Sequence, residues 1–221
     1  MSDNDKVNTG HHIEDKELII NARKPIGKLG RKILDRMNKS HELMAQWGVS
    51  HFDIPEGDMI LDIGCGGGKN IERFAKLITT GKVFGIDYSD VSVKMSIELN
   101  RKAIDEGKVD VVRGSVSKMP FEDNTFDIVT GFETIYFWPD FLNDLKEVNR
   151  VLKKDGLLFF CNEAVYREGK MEKYEDLIKL LDMKIYSEDV LRESLEKTGF
   201  KDFKAFLEDE NDWICVTARK K

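Results

Sequence analysis

The sequence predicts an α/β fold, a doubly wound and mostly parallel sheet preceded by a helical segment, and three observations carry that expectation. From Met59 onward, short apolar runs alternate with segments whose apolar residues recur every three or four positions, the pattern of strand, helix, strand, helix. The first of these runs ends in a glycine-rich turn, ILDIGCGGG over Ile60 to Gly68, that passes straight into a helical pattern. The third observation is size: 221 residues, 41 % hydrophobic and 34 % charged, suit one globular unit with a single sizeable core.

In chain order, residues 1–13 read as a disordered leader, 14–57 as a helical cap and 58–221 as the main domain. The leader's polar run MSDNDKVNTGHH has no signal-peptide apolar region, and no apolar run approaches membrane-spanning length, so the expected location is the cytoplasm. Glu14 to Ala22 has the pattern of a short helix, and Pro25, Gly27 and Gly30 punctuate the chain before a longer one. In that longer helix Leu29, Ile33, Met37, Met44 and Trp47 form an apolar stripe that must pack on the mouth of the main domain. Asn38 and His41 border the stripe. Arg23, Lys24, Lys28, Arg31, Lys32, Arg36 and Lys39 cluster in the same region with Asp35 as the one acid among them, either as a solvated face or as a contact for an anionic substrate or surface. The whole chain carries 35 basic and 41 acidic side chains, a net charge of −6 that argues against a nucleic-acid-binding surface. Cys65, Cys161 and Cys215 are scattered without metal-ligand spacing and read as reduced and structural, and His11 with His12 alone makes a weak metal site, so no metal is expected.

The glycine turn carries the chemistry. Gly64, Gly66, Gly67 and Gly68 leave almost no side chain along it, so backbone can approach a ligand closely. The helix that follows, Asn70 to Thr79 with Ile71, Phe74, Leu77 and Ile78 at helical spacing, aims its first amides into the same crevice. A phosphate-cradling P-loop would need Gly where Ile63 stands and a hydroxyl where Asn70 stands. A dinucleotide fingerprint starts at Gly64 and Gly66 but needs a small residue where Lys69 stands. The pattern acidic-x-Gly-x-Gly-x-Gly fits Asp62, Gly64, Gly66 and Gly68 without a gap, and here the chain resembles the class I S-adenosylmethionine-dependent methyltransferases. Lys82 to Asp87, KVFGID, is a second strand ending in an acid about twenty residues past the loop, placed to accept hydrogen bonds from a ribose diol or, more simply, to open the turn before the next helix.

Ser89 caps a helix reaching Glu106, closed by Gly107, and Val109 to Val112 is a third strand. The stretch GSVSKMPFEDNTFDIVTGFE resembles the family's next two motifs, with one departure: Ser115 stands where the family has an aspartate that accepts from the adenine amino group. Serine keeps an acceptor and loses the charge, which leaves adenine to backbone near Val116 and to packing by Met119 or Ile86. Phe126 to Thr130 makes the fourth strand, followed at its carboxyl end by Gly131, Phe132, Glu133 and Thr134, where open α/β sheets bind ligands. Glu133 there meets the methionine ammonium or the substrate, or else caps the next helix. Tyr136, Phe137 and Trp138 either enclose a sulfonium cation or an aromatic substrate or pack as core. A helix from Pro139 to Lys154 buries Phe141, Leu145, Val148, Val151 and Leu152, and its tail EVNRVLKKDGLLFF again resembles the family. Gly156 to Cys161 is the fifth strand, with Asn162 and Glu163 at its carboxyl end, Glu163 a second candidate acid or base or a solvent-facing turn residue. Residues 164–186 read as a charged helical insertion, and Ser187 caps a helix to Thr198 closed by Gly199. Lys201 to Leu207 and Trp213 to Ala218 are strands joined by the turn EDEND; the resemblance implies that they close a seven-stranded, Rossmann-like sheet as antiparallel strands.

The resemblance implies S-adenosyl-L-methionine as cofactor, held by Asp62, Gly64, Cys65, Gly66, Gly68, Asp87, Tyr88, Ser115, Val116 and Phe132, and methyl transfer by in-line displacement to a small-molecule acceptor. Among relatives the pattern looks most like quinone-biosynthesis and general metabolic enzymes. Neither an Asn-Pro-Pro-Tyr-like motif nor the catalytic cysteine loop of base methylases is present. If the acceptor must lose a proton, Glu133, Glu163, Tyr136 and His41 are the candidates to take it, and N-terminal helices of this family often cover the site, which would turn Asn38 and His41 inward. A monomer or homodimer acting without nucleic acid or membrane is expected. Two other classes stay open: a nicotinamide-dependent oxidoreductase, and a non-catalytic module that binds S-adenosylmethionine and works through a partner, met by the basic N-terminal helix.

Overall fold

The computed structural model describes residues 16–221, so the expected leader and positions 14 and 15 of the expected first helix lie outside the described residues. Residues 16–20 are helical (α1), followed by α2 (Gly27–Ser40) and α3 (Glu42–Val49). The main domain then runs β1 (Met59–Ile63), α4 (Lys69–Leu77), β2 (Lys82–Asp87), α5 (Asp90–Leu99), α6 (Arg101–Asp105), β3 (Val109–Arg113), β4 (Phe126–Phe132), α7 (Phe141–Val151), β5 (Leu152–Asn162), α8 (Glu175–Leu181), α9 (Glu188–Lys197), β6 (Phe200–Glu208) and β7 (Trp213–Lys220).

The seven strands form one sheet in the order β3-β2-β1-β4-β5-β7-β6. The first five strands in that order are parallel, with Ile60 opposite Val83 on one side and Ile128 on the other. β7 pairs antiparallel with both β5 and β6, which closes the sheet as the sequence predicts. Because successive strand side chains point to opposite faces, β1 sends Ile60 to one core and Leu61 and Ile63 to the other, and β5 likewise divides Phe159 and Cys161 from Leu158 and Phe160. α3 and α4 cover the first face with Met44, Ala45, Ile71 and Phe74; α7 and α9 cover the second with Phe141, Leu145, Val148, Leu191 and Leu195. Each such buried Val, Leu, Ile, Met or Phe side chain contributes up to roughly 1.5–3 kcal/mol, so both faces must stay covered, and ligands are left to the strand ends.

Several boundaries differ from the sequence reading, each for a local reason. The long N-terminal helix is two: α2 ends at His41, whose φ of −87° and ψ of 4° turn the axis, and Gly27 and Gly30 fall within α2. Gly30 lies against the backbone of Pro25, where a Cβ would come within 2.6 Å of a carbonyl carbon. The helix after Ser89 breaks at Asn100, whose side chain donates to the Gly68 and Ser96 carbonyls at 3.0 and 2.9 Å and so competes with the backbone ladder. α7 begins one residue beyond Asp140, which accepts from the Asn143 amide at 3.2 Å, because an Asp caps a helix start better than Pro139 can open it. β5 starts at Leu152 and takes in the basic stretch, anchored where Lys153 meets Asp127 at 2.8 Å. The insertion 164–186 holds only a 3-10 turn, Glu172–Tyr174, and the short α8.

Candidate active site

The glycine turn joins β1 to α4 at the carboxyl edge of the sheet, beside the end of β2. Gly64 has φ +68° and Gly68 φ +81°, a region an L side chain rarely adopts. A Cβ at Gly64 would stand 2.3 Å from Thr134 Oγ1, and one at Gly68 2.5 Å from Ser96 Oγ. The loop is tied to β2 by the Gly64 amide, which donates to the Ile86 carbonyl at 2.8 Å, and by the Gly66 amide, which donates to Asp87 Oδ2 at 3.0 Å. Asp87 also accepts from the Ser89 amide at 2.8 Å, and Ser89 caps α5 by accepting from the Ser92 amide. Burial raises the Asp87 carboxyl above the usual range, and the Ser89 and Gly66 amides pull it back. The two amides hold the carboxyl group at the edge of the crevice.

A cavity of about 800 Å³ opens over this edge, within the range that takes a cofactor-sized ligand. Its floor is Gly64, Gly66, Asp87, Tyr88 and Ser92; one wall is Ile86, Gly114, Ser115 and Val116; the opposite wall is Phe132, Glu133, Thr134, Phe137 and Trp138. Residues 20–26, with Leu34 and Met37 of α2, form the roof. That roof is strapped down: Ser89 Oγ donates to the Pro25 carbonyl at 2.6 Å, Tyr88 OH donates to the Arg23 carbonyl, and Arg23 pairs with Asp182 at 2.9 Å.

A second, smaller recess of about 60 Å³ lies on the other side of Gly64 and Gly66, lined by Asn38, His41, Cys65, Arg73 and also Glu133. Here β4 and β5 end side by side. Glu133, at φ +55°, donates its amide to the Cys161 carbonyl at 3.0 Å, and its Oε1 accepts from Tyr136 OH at 3.2 Å and from the Glu163 amide. Tyr136 OH in turn accepts from the Ala164 amide at 2.9 Å. His41 Nε2 lies 3.7 Å from Glu163 Oε2. Burial, reinforced by the Glu163 carboxylate, pushes Glu133 up to about 8; burial also raises Glu163 and draws His41 down to about 4, so its imidazole is neutral at neutral pH.

The structure thus brings Gly64, Gly66, Asp87, Tyr88, Ser115, Val116 and Phe132 to one cavity, and His41, Glu133 and Glu163 to one cluster at its edge. Asp62, Cys65 and Gly68 do not line the large cavity, and Cys65 faces the smaller recess instead. Asp62 is 2 % exposed and accepts from Thr130 Oγ1 at 2.9 Å. Ser115 Oγ accepts from the Ser117 amide at 3.2 Å, and Met119 is buried in the core away from the cavity wall. Of the three aromatics, Phe137 and Trp138 reach the cavity, whereas Tyr136 is buried behind it. Sequence reasoning missed the roof at 20–26 and Ser92 on the floor. Pro25, two residues before Gly27, marked a turn there, but only the contacts to Tyr88 and Ser89 show where the turn lies.

A parallel sheet whose first strand ends in a cramped glycine loop, with an acid on the neighbouring strand and an apolar slot beyond it, defines a nucleoside-binding α/β domain. The residues fit S-adenosylmethionine: Asp87 for the diol, Ile86 and Val116 for the base, Phe137 and Trp138 for a sulfonium. Residues 61–160 match the family model described as a methyltransferase domain. The chain is 32 % identical to a sterol 24-C-methyltransferase of Kluyveromyces lactis over 72 % of its own length and 43 % of that enzyme's. It is 34 % identical to a demethylmenaquinone methyltransferase of Staphylococcus aureus over 58 % of its length and 54 % of the other. It thus spans about half the length of the curated relatives it matches, or less. A crystal structure of a SAM-dependent methyltransferase from Aquifex aeolicus superposes with a TM-score of 0.72, covering 86 % of this chain and 98 % of that one at 22 % identity. Residues 61–160 therefore carry a methyltransferase domain, and the fold around it is one that S-adenosylmethionine-dependent methyltransferases use.

Proposed function

We propose that the protein transfers a methyl group from S-adenosylmethionine to a small-molecule acceptor. The observation that carries this reading is Asp87, buried at the end of β2, locked by the Gly66 and Ser89 amides and facing the cavity beside a loop with no side chains in the way. When bound, the cofactor supplies a methyl group on a sulfonium, open to in-line displacement by the acceptor. The chain's own part is mostly placement. Asp87 takes the ribose diol, the first amides of α4 take the methionine carboxylate, and Phe137 and Trp138 keep water from the sulfonium. Holding an acceptor in line is worth roughly 7–11 kcal/mol, so little further catalysis is needed.

Where the acceptor must lose a proton, Glu163 receives it, facing neutral His41, and Glu133, raised to about 8 and fixed by Tyr136, joins it once ionised at higher pH. The relatives' names, a sterol methyltransferase and a quinone-pathway methyltransferase, support a small-molecule acceptor over nucleic acid, as does the net charge of −6. The reading places the enzyme in the cytoplasm as a monomer or homodimer; no described helix is long and apolar enough to cross a membrane. A nicotinamide cofactor is disfavoured at Lys69, a charged residue paired with Glu72 at 2.8 Å where the dinucleotide fingerprint needs a small one. Isothermal titration with S-adenosylhomocysteine and, separately, with NADH tests the reading: micromolar binding of the first and none of the second supports it, and the reverse overturns it.

A further inference from the structure

We propose that His41, Glu133 and Glu163 form a binding site for one divalent ion of the first transition row, Mn²⁺, Fe²⁺, Co²⁺ or Zn²⁺. Each offers one donor atom, and the three atoms lie within 4.8 Å of one another. They come from three separate elements, the α2–α3 junction, the end of β4 and the end of β5, so the cluster is not a by-product of helical or strand spacing. Four further features point to a ligand there.

The first is an unmatched donor set. Neither the Glu163 carboxylate nor the His41 ring hydrogen-bonds to any described residue, and the cations bordering the recess are already committed, Lys69 to Glu72 at 2.8 Å and Arg73 to Glu42 at 3.0 Å. Two carboxyl groups and an imidazole therefore converge with no described cation placed between them. The second is backbone geometry. Six described non-glycine residues have positive φ; five are Asn or Asp, which tolerate it, and the sixth is Glu133. A glutamate is strained there, and such strain is kept where a side chain must be aimed. The third is support: Tyr136 OH and the Glu163 amide both fix Glu133 Oε1, as outer-sphere donors orient a ligating carboxylate. The fourth is donor type. One imidazole nitrogen with two carboxylates suits first-row transition ions better than Mg²⁺ or Ca²⁺, which prefer oxygen alone.

Three protein ligands leave coordination positions open. Glu133 also borders the large cavity, so an ion here would hold an acceptor hydroxyl, carboxylate or amine at the cavity edge and ease loss of its proton by Lewis-acid polarisation. That last step rests on the methyltransferase reading; binding of the ion does not.

The test uses tag-free, full-length, chelator-treated protein titrated with Mn²⁺ and followed by the electron paramagnetic resonance of the free ion, with Co²⁺ absorption as a second probe. One ion per chain is expected. His41→Ala and Glu163→Gln should each weaken binding by more than the about tenfold loss expected for the positioning variant Tyr136→Phe, while the double variant His11→Ala/His12→Ala should bind as the parent does. Absence of stoichiometric binding of Mn²⁺, Co²⁺ and Zn²⁺ overturns the proposal, and so does binding that survives His41→Ala combined with Glu163→Gln. Titrating the same samples with S-adenosylhomocysteine confirms that each variant is folded and separates the two readings: nucleoside binding without metal binding overturns only the metal site, and metal binding without nucleoside binding overturns only the methyltransferase reading.

Discussion

Replacing Asp87 by Asn changes the proposed ribose contact with the least change in shape, and the cost can be worked from the structure. Each Asp87 oxygen accepts one backbone N–H, Ser89 at 2.8 Å and Gly66 at 3.0 Å, and the residue is 7 % exposed. The amide of Asn has one oxygen, so one buried N–H is left facing an NH₂ group, which costs about 1–3 kcal/mol of stability. On the ligand side, a hydrogen bond to a charged acceptor is worth about 1.5–3 kcal/mol. Losing the charge and one of two acceptors removes about 2–4 kcal/mol of binding, a weakening of roughly 30- to 700-fold. Titration calorimetry with S-adenosylhomocysteine reads the loss directly. A cycle with adenosine and 2′,3′-dideoxyadenosine isolates the diol: the parent should prefer adenosine, and Asp87→Asn should erase most of that preference. Unchanged affinity in a folded variant, or an unchanged preference for the diol, would refute the assignment of Asp87 to the ribose.

Gly68→Ala should destabilise the fold by about 2 kcal/mol or more, read by denaturant unfolding, because φ is +81° and the new Cβ would stand 2.8 Å from Ser96 Cα, a backbone atom that cannot swing away. Burial lifts Asp62 from an ordinary 3.8 to about 7, against the hydrogen bond from Thr130. The folded state then keeps a proton that the unfolded chain releases, so this group's contribution to stability falls as pH rises from about 4 to 7, by up to about 4 kcal/mol. Asp62→Asn should remove that slope in unfolding curves taken across the window, and a variant with the parent's pH dependence would contradict the burial argument. His41, drawn down to about 4, acts in the opposite sense below its ordinary 6.5, so the comparison is between variant and parent at each pH. Ser89→Ala should cost about 1 kcal/mol through the lost cap of α5 and, by freeing the Pro25 carbonyl, speed amide hydrogen exchange in residues 20–26.

Those parts of the site that rest on local chemistry were legible in the sequence. The glycine loop could be read because crowding there excludes side chains, and Asp87 because the chain must end β2 beside that loop. Ser89 and Ser187 announced their helices by cap chemistry, and both accept the amide expected of a cap. Glu133 and Glu163 were found as strand-end acids, since the alternation of strands and helices fixes which edge they share. What stayed hidden depends on contacts between distant segments. The axis break at His41 breaks no propensity rule, yet it swings the imidazole against Glu163 at 3.7 Å. Asn100 looked like any helix residue until its amide met the Gly68 carbonyl. The roof over the cavity is held by the Arg23 and Pro25 carbonyls, and backbone acceptors carry no sequence signal. The His–Glu–Glu cluster shows no metal-ligand spacing because its three donors lie far apart along the chain.

The most direct test of the central claim is a crystal structure of the protein with S-adenosylhomocysteine. The ribose diol should lie within hydrogen-bond distance of Asp87, the adenine between Ile86 and Val116, and the sulfur toward Phe137, Trp138 and Glu133. A nucleoside bound elsewhere, or one seated in this cavity with its diol turned away from Asp87, would contradict the account.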